Sequence, residues 1–388
     1  MTGRRVEPGT GTELAETVGR LREQGQMVWL DELGRQLIVD GTLERLVGDG
    51  VGGVTVNPTT FDQAVSGSNL YDEDIRRLAA DGWSEDRILW ELLVQDVRAA
   101  ADVLRPNYID SACLDGYVSI EVSPDLAADT DATVAMAREL WERCDHRNVL
   151  VKIPATDAGL PAIERSLASG INVNVTLTFS VPRYEQVVDA FLRGLEAREE
   201  AGQPLGGLAS VASFFVSRVD AKVDKRLKST VESAKQEENR SPVQAAERLL
   251  GRAGVANCWL AYRSWDRIFR GERWERLQRA GAAPQRCLWA STGVKDPAYP
   301  ATKYADELAR PDTIFTTPLS TLRSLHETKL APPVADHPEL IVDGLKELGI
   351  DLTSIGAELE AEGVRRFSDS YHHCLETLRG KVAGGGPT

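Results

Sequence analysis

Short apolar runs rich in β-branched residues alternate along the chain with longer amphipathic stretches. The runs are MVWLDEL (27–33), VGGVTVNP (51–58), YVSIEV (117–122), NVLVKIPA (148–155), INVNVTL (171–177), LASVASFFVS (208–217), RCLWAST (286–292) and TIFTTP (313–318). Between them lie helical patterns such as 183–202 and 247–269. Strands separated by helices pair in parallel through right-handed crossovers. Eight such units point to an α/β fold of the (β/α)8 TIM-barrel type. The competing architecture, an open doubly wound sheet, lacks a GxGxxG turn after its first strand.

Two stretches exceed a plain barrel. Residues 219–286 read as a helical insertion between strands 6 and 7, with an exposed loop near 232–243. Residues 319–388 read as extra helices ending in an unstructured VAGGGPT tail. The first twenty or so residues read as an arm and a leading helix, and Gly52-Gly53 as a turn. The whole chain, 1–388, is expected to be one domain, with a core over about 25–330 and a C-terminal helical extension over 331–380.

Alternation within the strands sorts residues onto two faces. Val149, Val151 and Ile153 oppose Leu150 and Lys152; Val118, Ile120 and Val122 oppose Ser119 and Glu121. Ile171, Val173, Val175 and Leu177 oppose Asn172, Asn174 and Thr176. Val28 and Leu30 oppose Trp29 and Asp31, and Val54 and Val56 oppose Thr55 and Asn57. The apolar face suits a helix ring. The other face sends charges and amides into one shared space, where they would be costly without partners. In a barrel of this type that space, at the C-terminal strand ends, is where active sites lie.

Lys152 stands in an otherwise apolar run. Burial disfavours a lysine's charge, and a lysine kept neutral is a nucleophile toward carbonyl carbon. It is either that or a structural cation paired with a carboxylate. Asp31 and Glu121 could divide acid and base duties, or merely neutralise it. Arg218 ends the sixth strand, Ser213 lies upstream, and Ser291, Gly293 and Lys295 follow the seventh. Serine, glycine and cations together suit a phosphate dianion; a rim salt bridge is the plainer reading of Arg218. Trp83, Trp90, Trp141, Trp259, Trp265 and Trp274 fall in helical stretches and read as packing residues. There is no Walker loop, HExxH or GxSxG.

Composition narrows the function classes. The chain has 388 residues, 42% of them hydrophobic, and a net charge of −14. An acidic chain gains nothing by approaching nucleic acid or an anionic membrane. Any phosphate site must be a local basic pocket set against the global field. The five cysteines form no CxxC or metal spacing and read as free thiols of a cytoplasmic protein. His372-His373-Cys374 reads as a surface feature, because neighbours on a helix point in different directions. With no apolar region after Arg4-Arg5 the N-terminal segment is not expected to be a secretion signal, and no apolar run is of membrane-spanning length.

GVTVNPTTF (53–61), VSIEVSPDLAADT (118–130), VLVKIPATDAGLPAIE (149–164), INVNVTLTFS (171–180), SVASFFVSRVD (210–220) and WASTGVKDPAY (289–299) together resemble the transaldolase family, in its long actinobacterial form. The resemblance runs from about residue 20 to 375. It implies a Schiff base on Lys152, with Asp31 taking the C4 hydroxyl proton. Glu121 and Thr176 would hold the proton-shuttling water. Asn57 and Asn174 would bind hydroxyls of the dihydroxyacetone unit, with Thr55 and Ser213 beside them. Arg218 and Ser291 would bind the substrate phosphate. Sedoheptulose 7-phosphate and fructose 6-phosphate would be donors; glyceraldehyde 3-phosphate and erythrose 4-phosphate would be acceptors, as in the pentose phosphate pathway. No metal or organic cofactor is implied, and the family suggests monomers or homodimers.

The chain departs from the family's pattern at three places. Val56 stands where a threonine is usual. Some relatives carry an arginine at the position of Gly293, and Lys295 is the substitute expected here. Related long forms read Asn-Thr-Met-Pro-Glu-Ala-Thr-Leu where this chain has Phe315-Thr316-Thr317-Pro318-Leu319-Ser320-Thr321-Leu322. That change sets apolar residues at the expected barrel mouth. It suggests a specialised transaldolase of secondary metabolism, with an unusual acceptor sugar, as an alternative. A barrel acting only as a scaffold would have to retain the lysine, the carboxylates and the asparagines without use.

Overall fold

The computed structural model describes residues 10–236, 240–329 and 337–384. The N-terminal arm, the centre of the 232–243 loop, the start of the C-terminal extension and the last four residues lie outside them. Eight strands form a closed parallel barrel: β1 (Gln26–Leu30), β2 (Gly53–Thr55), β3 (Tyr117–Glu121), β4 (Val149–Pro154), β5 (Val173–Thr178), β6 (Ser210–Phe215), β7 (Arg286–Ala290) and β8 (Thr313–Thr317). Neighbours in sequence are neighbours in space, and β8 pairs with β1 to close the ring. All eight apolar runs contain a strand.

Alternation divides the core into two layers. Val28, Leu30, Val118, Ile120, Val149, Val151, Ile153, Val173 and Val175 pack outward on the helix ring. Trp29, Tyr117, Leu150, Val211, Leu288 and Ile314 fill the barrel interior. Trp29 is fully buried, and its indole N–H donates to Asp115 Oδ1 at 2.7 Å. Its ring needs the space that Gly53 leaves. A Cβ on Gly53 would lie 2.6 Å from the indole and 2.8 Å from the Tyr117 carbonyl oxygen. Gly53 is therefore a strand residue chosen for close approach, not part of a turn.

Several local expectations change. Among the described residues, four helices link β6 to β7: Ser217–Gln236, Arg240–Leu249, Ala253–Ile268 and Glu272–Arg279. Residues 232–236 are thus helical rather than loop. The single helical pattern over 247–269 is split at Gly251, which has φ +69° and faces the Tyr299 ring. Trp83 sits in the turn before the Glu85–Asp110 helix, under Arg87. Leu177 does not join the outer layer. The β5–β6 register shifts between Val175 and Thr178, Leu177 takes φ +57°, and its side chain turns into the inner cluster.

The C-terminal helix, Leu352–Gly384, runs 33 residues and includes Val382–Gly384, which were expected to be unstructured. Ile355, Leu359, Phe367, Tyr371, Cys374 and Leu378 form its buried stripe. It packs on the Pro58–Ser66 helix after β2, on the Ser217–Gln236 helix after β6, and on β5. It therefore crosses the C-terminal end of the barrel. His372 and His373 reach different partners, Asp125 and Asp62, and pin this helix down.

Replacing Gly53 with alanine forces the Trp29 ring or the β3 backbone to move. Gly53→Ala is expected to cost about 2 kcal/mol, as overpacking does. Urea unfolding of the two proteins measures it; equal stability would show that the indole can shift freely.

Candidate active site

The barrel opens at its C-terminal end into a cavity of about 510 Å³. Lys152 lies at its base, with Asp31, Thr55, Asn57, Ser213, Arg218, Ser291 and Lys295 along the walls. Barrel closure brings these residues together from β2, β4 and β6 and from the segments that follow β1, β2, β6 and β7. Glu121 stands directly across the β3–β4 ladder from Lys152, and Asn174 across the β4–β5 ladder.

Lys152 and Glu121 are each about 4% exposed, and their Nζ and Oε2 atoms are 3.1 Å apart. Removing two charges from water costs several kcal/mol per ion unless their attraction and further contacts repay it. Burial pushes the Glu121 carboxyl above its ordinary range, and the neighbouring Lys152 partly pulls it back. Asp31 is raised in the same way: burial dominates, while Lys152 and the hydroxyl of Thr55 oppose it. Thr55 Oγ1 donates to Asp31 Oδ1 at 2.7 Å and lies 3.0 Å from Thr316 Oγ1.

The amides are held by distinct devices. Asn174 Nδ2 donates to Ser119 Oγ at 2.9 Å, and its Oδ1 accepts from Ser213 Oγ at 2.8 Å. Asn57 caps the Pro58–Ser66 helix: its Oδ1 accepts the backbone N–H groups of Thr59 and Thr60. The cap fixes the amide plane, and Asn57 borders the cavity. Beside the β5 bulge, Thr176 Oγ1 is buried with no hydrogen-bond partner among the described residues. Buried polar atoms without partners are rare and mark places where water or ligand binds.

A second group is cationic. Arg218 lies in the first turn of the Ser217–Gln236 helix, immediately after β6. Burial and the nearby Arg366 lower its pKa. Lys295 is lowered by burial and by the charges of Arg218 and Arg366. Among the described residues, neither Arg218 nor Lys295 makes an ion pair, so Arg218 is not a rim salt bridge. Ser291 follows β7 with φ +55°, and its Oγ lies 3.0 Å from Ser217 Oγ. A non-glycine residue held in that conformation is strained and recurs at functional sites.

Sequence alternation missed Arg366 and Phe367. Both border the cavity from the C-terminal helix, far beyond the cationic residues that follow β6 and β7. Their only signal was an Arg-Arg-Phe step in an amphipathic helix. The expected role of the eighth strand also changes. Phe315 is fully buried in the outer layer, and Leu319 packs against that layer. Thr316 of β8 and Pro318 just after it reach the cavity. The apolar replacements at 315 and 319 thus do not line the mouth.

Residues 28–378 match the family model described as transaldolase/fructose-6-phosphate aldolase. The chain is 46% identical to a transaldolase of Saccharopolyspora erythraea over 92% of its own length and 96% of the relative's. It is 44% identical to a transaldolase of Parafrankia over 94% and 98%. It is also 44% identical to a transaldolase of Mycobacterium tuberculosis over 92% and 95%.

The raised Asp31 pKa makes a signed prediction. Between the ordinary carboxylate pKa and its own raised value, the folded protein holds a proton that the unfolded chain releases. Stability contributed by Asp31 is therefore present at low pH and is lost as pH rises through that window. Asp31→Asn removes this loss. The variant's stability relative to wild type should increase from pH 4 upward, as read by urea unfolding at several pH values. A difference that is flat with pH would mean that Lys152 fully offsets the burial of Asp31.

Proposed function

Since the chain belongs to the transaldolase/fructose-6-phosphate aldolase family and is an enzyme of the transaldolase type, we propose that it moves a dihydroxyacetone unit between sugar phosphates through a Schiff base on Lys152. One observation carries this reading: the buried Lys152 amine is paired with Glu121 in a cavity that also holds Asp31 and unpaired cations. A purely structural ion pair has no need of the second carboxylate or of a cationic wall.

Glu121, 3.1 Å from the amine, accepts a proton from Lys152. The freed amine attacks C2 of the ketose phosphate. Water held between Glu121 and Thr176 carries protons while the carbinolamine loses water to give the imine. Asp31 then removes the proton of the C4 hydroxyl. The C3–C4 bond breaks, its electrons move into the protonated imine, and the aldose phosphate leaves. The protonated imine is the electron sink, so the cycle calls for no metal or organic cofactor.

The remaining enamine is held by Asn57 and Asn174 through the dihydroxyacetone hydroxyls, with Thr55 and Ser213 beside them. It attacks the aldehyde carbon of the incoming acceptor, and Asp31 returns the proton. Water then hydrolyses the new imine. Arg218, Ser291 and Lys295 hold the substrate phosphate and so fix the length of sugar that fits. Sedoheptulose 7-phosphate and fructose 6-phosphate are the donors; glyceraldehyde 3-phosphate and erythrose 4-phosphate are the acceptors. The pathway is the pentose phosphate shunt. With Phe315 and Leu319 outside the cavity, the feature that had pointed to an unusual acceptor loses its support. Five free cysteines favour the reducing cytoplasm as the compartment, and the barrel with its C-terminal helix functions as one domain.

Borohydride reduction in the presence of fructose 6-phosphate should attach a three-carbon unit to the peptide carrying Lys152. Lys152→Met should abolish that adduct and lower turnover of fructose 6-phosphate with erythrose 4-phosphate by roughly 10⁴-fold or more. A donor-dependent adduct on any other lysine would overturn the assignment.

A further inference from the structure

The C-terminal helix packs tightly on the barrel at Gly363. A Cβ there would lie 2.8 Å from Leu177 Cδ2 and 3.6 Å from Arg218 Nη1. One helical turn later, on the same face, comes Arg366. It borders the same cavity as Lys152, Arg218 and Lys295. Phe367 follows, with its ring centre 6.0 Å from Lys152 Nζ and 5.8 Å from Arg218 Cζ. The aromatic ring thus stands beside both the amine and the nearest guanidinium.

Two cations of the Ser217–Gln236 helix are neutralised by the C-terminal helix. Lys222 pairs with Glu358 at 2.9 Å, and Arg226 pairs with the same carboxylate at 2.6 Å. These pairs fasten the C-terminal helix to the Ser217–Gln236 helix and so set where Arg366 points. Arg218, Lys295 and Arg366 differ: among the described residues, none of the three forms an ion pair. Three unpaired cations facing one cavity repel each other. That arrangement is unfavourable until an anion enters, and an arginine fork suits the oxygens of a phosphate dianion.

We propose that Arg366 is a direct ligand of the substrate's phosphate, so that the C-terminal helix supplies the residue that makes the enzyme select phosphorylated sugars over their unphosphorylated counterparts. This rests on the sugar-phosphate reading given above. Arg218 and Lys295 come from the barrel, whereas Arg366 comes from a helix laid across it. Phosphate selectivity is therefore tied to how firmly that helix is seated.

The test compares wild type with Arg366→Gln, Arg366→Lys and Arg365→Gln. Arg365→Gln removes the same charge from the same helix at a position that does not border the cavity. Two quantities are read: the ratio of kcat/KM for fructose 6-phosphate over fructose, and the affinity for inorganic phosphate by calorimetry. Arg366→Gln should lower both about ten-fold, the effect of a lost charge-assisted hydrogen bond. Arg366→Lys should recover part of each, and Arg365→Gln should change neither by more than about two-fold, as expected of a solvent-screened charge. Equal losses for the two donors, an undiminished phosphate affinity, or the same loss in Arg365→Gln would overturn the proposal. Calorimetry requires no turnover. If fructose 6-phosphate leaves no borohydride adduct on wild-type Lys152, the Schiff-base reading fails, while the phosphate titration of Arg366→Gln still decides the role of the arginine.

Discussion

Lys152 and Glu121 face each other across the β3–β4 ladder, 3.1 Å apart and almost wholly removed from water. A buried pair of this kind contributes little net stability, because desolvation offsets most of the attraction. It persists only where the surroundings hold it in place. Here those surroundings are the closed barrel. Register sets Glu121 beside Lys152 and Lys152 beside Asn174, and the outer valines and isoleucines anchor each strand to the helix ring. Beneath the pair, Leu150 and the packed interior around Trp29 close the lower end of the barrel. The polar groups can gather at the upper end because the lower end is filled with apolar side chains.

Desolvation acts differently on the two halves of the site. On the carboxylate side it raises Asp31 and Glu121 above their ordinary values. On the cationic side it combines with mutual repulsion, lowering Arg218 and Lys295. The acidic chain as a whole carries −14, so a cluster of unpaired cations is a local inversion of the global field. In the proposed cycle such an inversion draws in an anionic substrate and orients it, phosphate toward Arg218 and carbonyl toward Lys152. The Phe367 ring beside both ends limits how much water they share.

Much of this was legible before any fold was seen, for a simple reason. The period of two in a strand is strict, so Lys152, Glu121, Asn174, Thr176, Asp31 and Thr55 had to share the face opposite the valines. Eight such strands with helical connections allow few architectures. The same rule failed at Leu177, where a register shift and a left-handed backbone break the period. It also corrected a misreading at the eighth strand. Alternation from the inward Thr316 sends Phe315 to the outer layer, although its place in the motif had suggested the mouth. Gly53 was misread because a glycine's purpose depends on what approaches it, and the Trp29 ring comes from another strand.

By itself the sequence determined the eight strands, their two faces and the cluster of inward polar groups, because side-chain alternation is a local property of the extended backbone. It also determined that Lys152 lies in an apolar run, and so that its charge has to be managed. Only the tertiary structure decided which carboxylate pairs with it and at what distance, since that depends on register between strands. Only the tertiary structure brought Arg366 and Phe367 to the cavity. They sit on a helix about 200 residues beyond Lys152, and nothing in local periodicity says which end of a barrel a distant helix will cover. That is settled by the packing of its buried stripe against helices that follow β2 and β6.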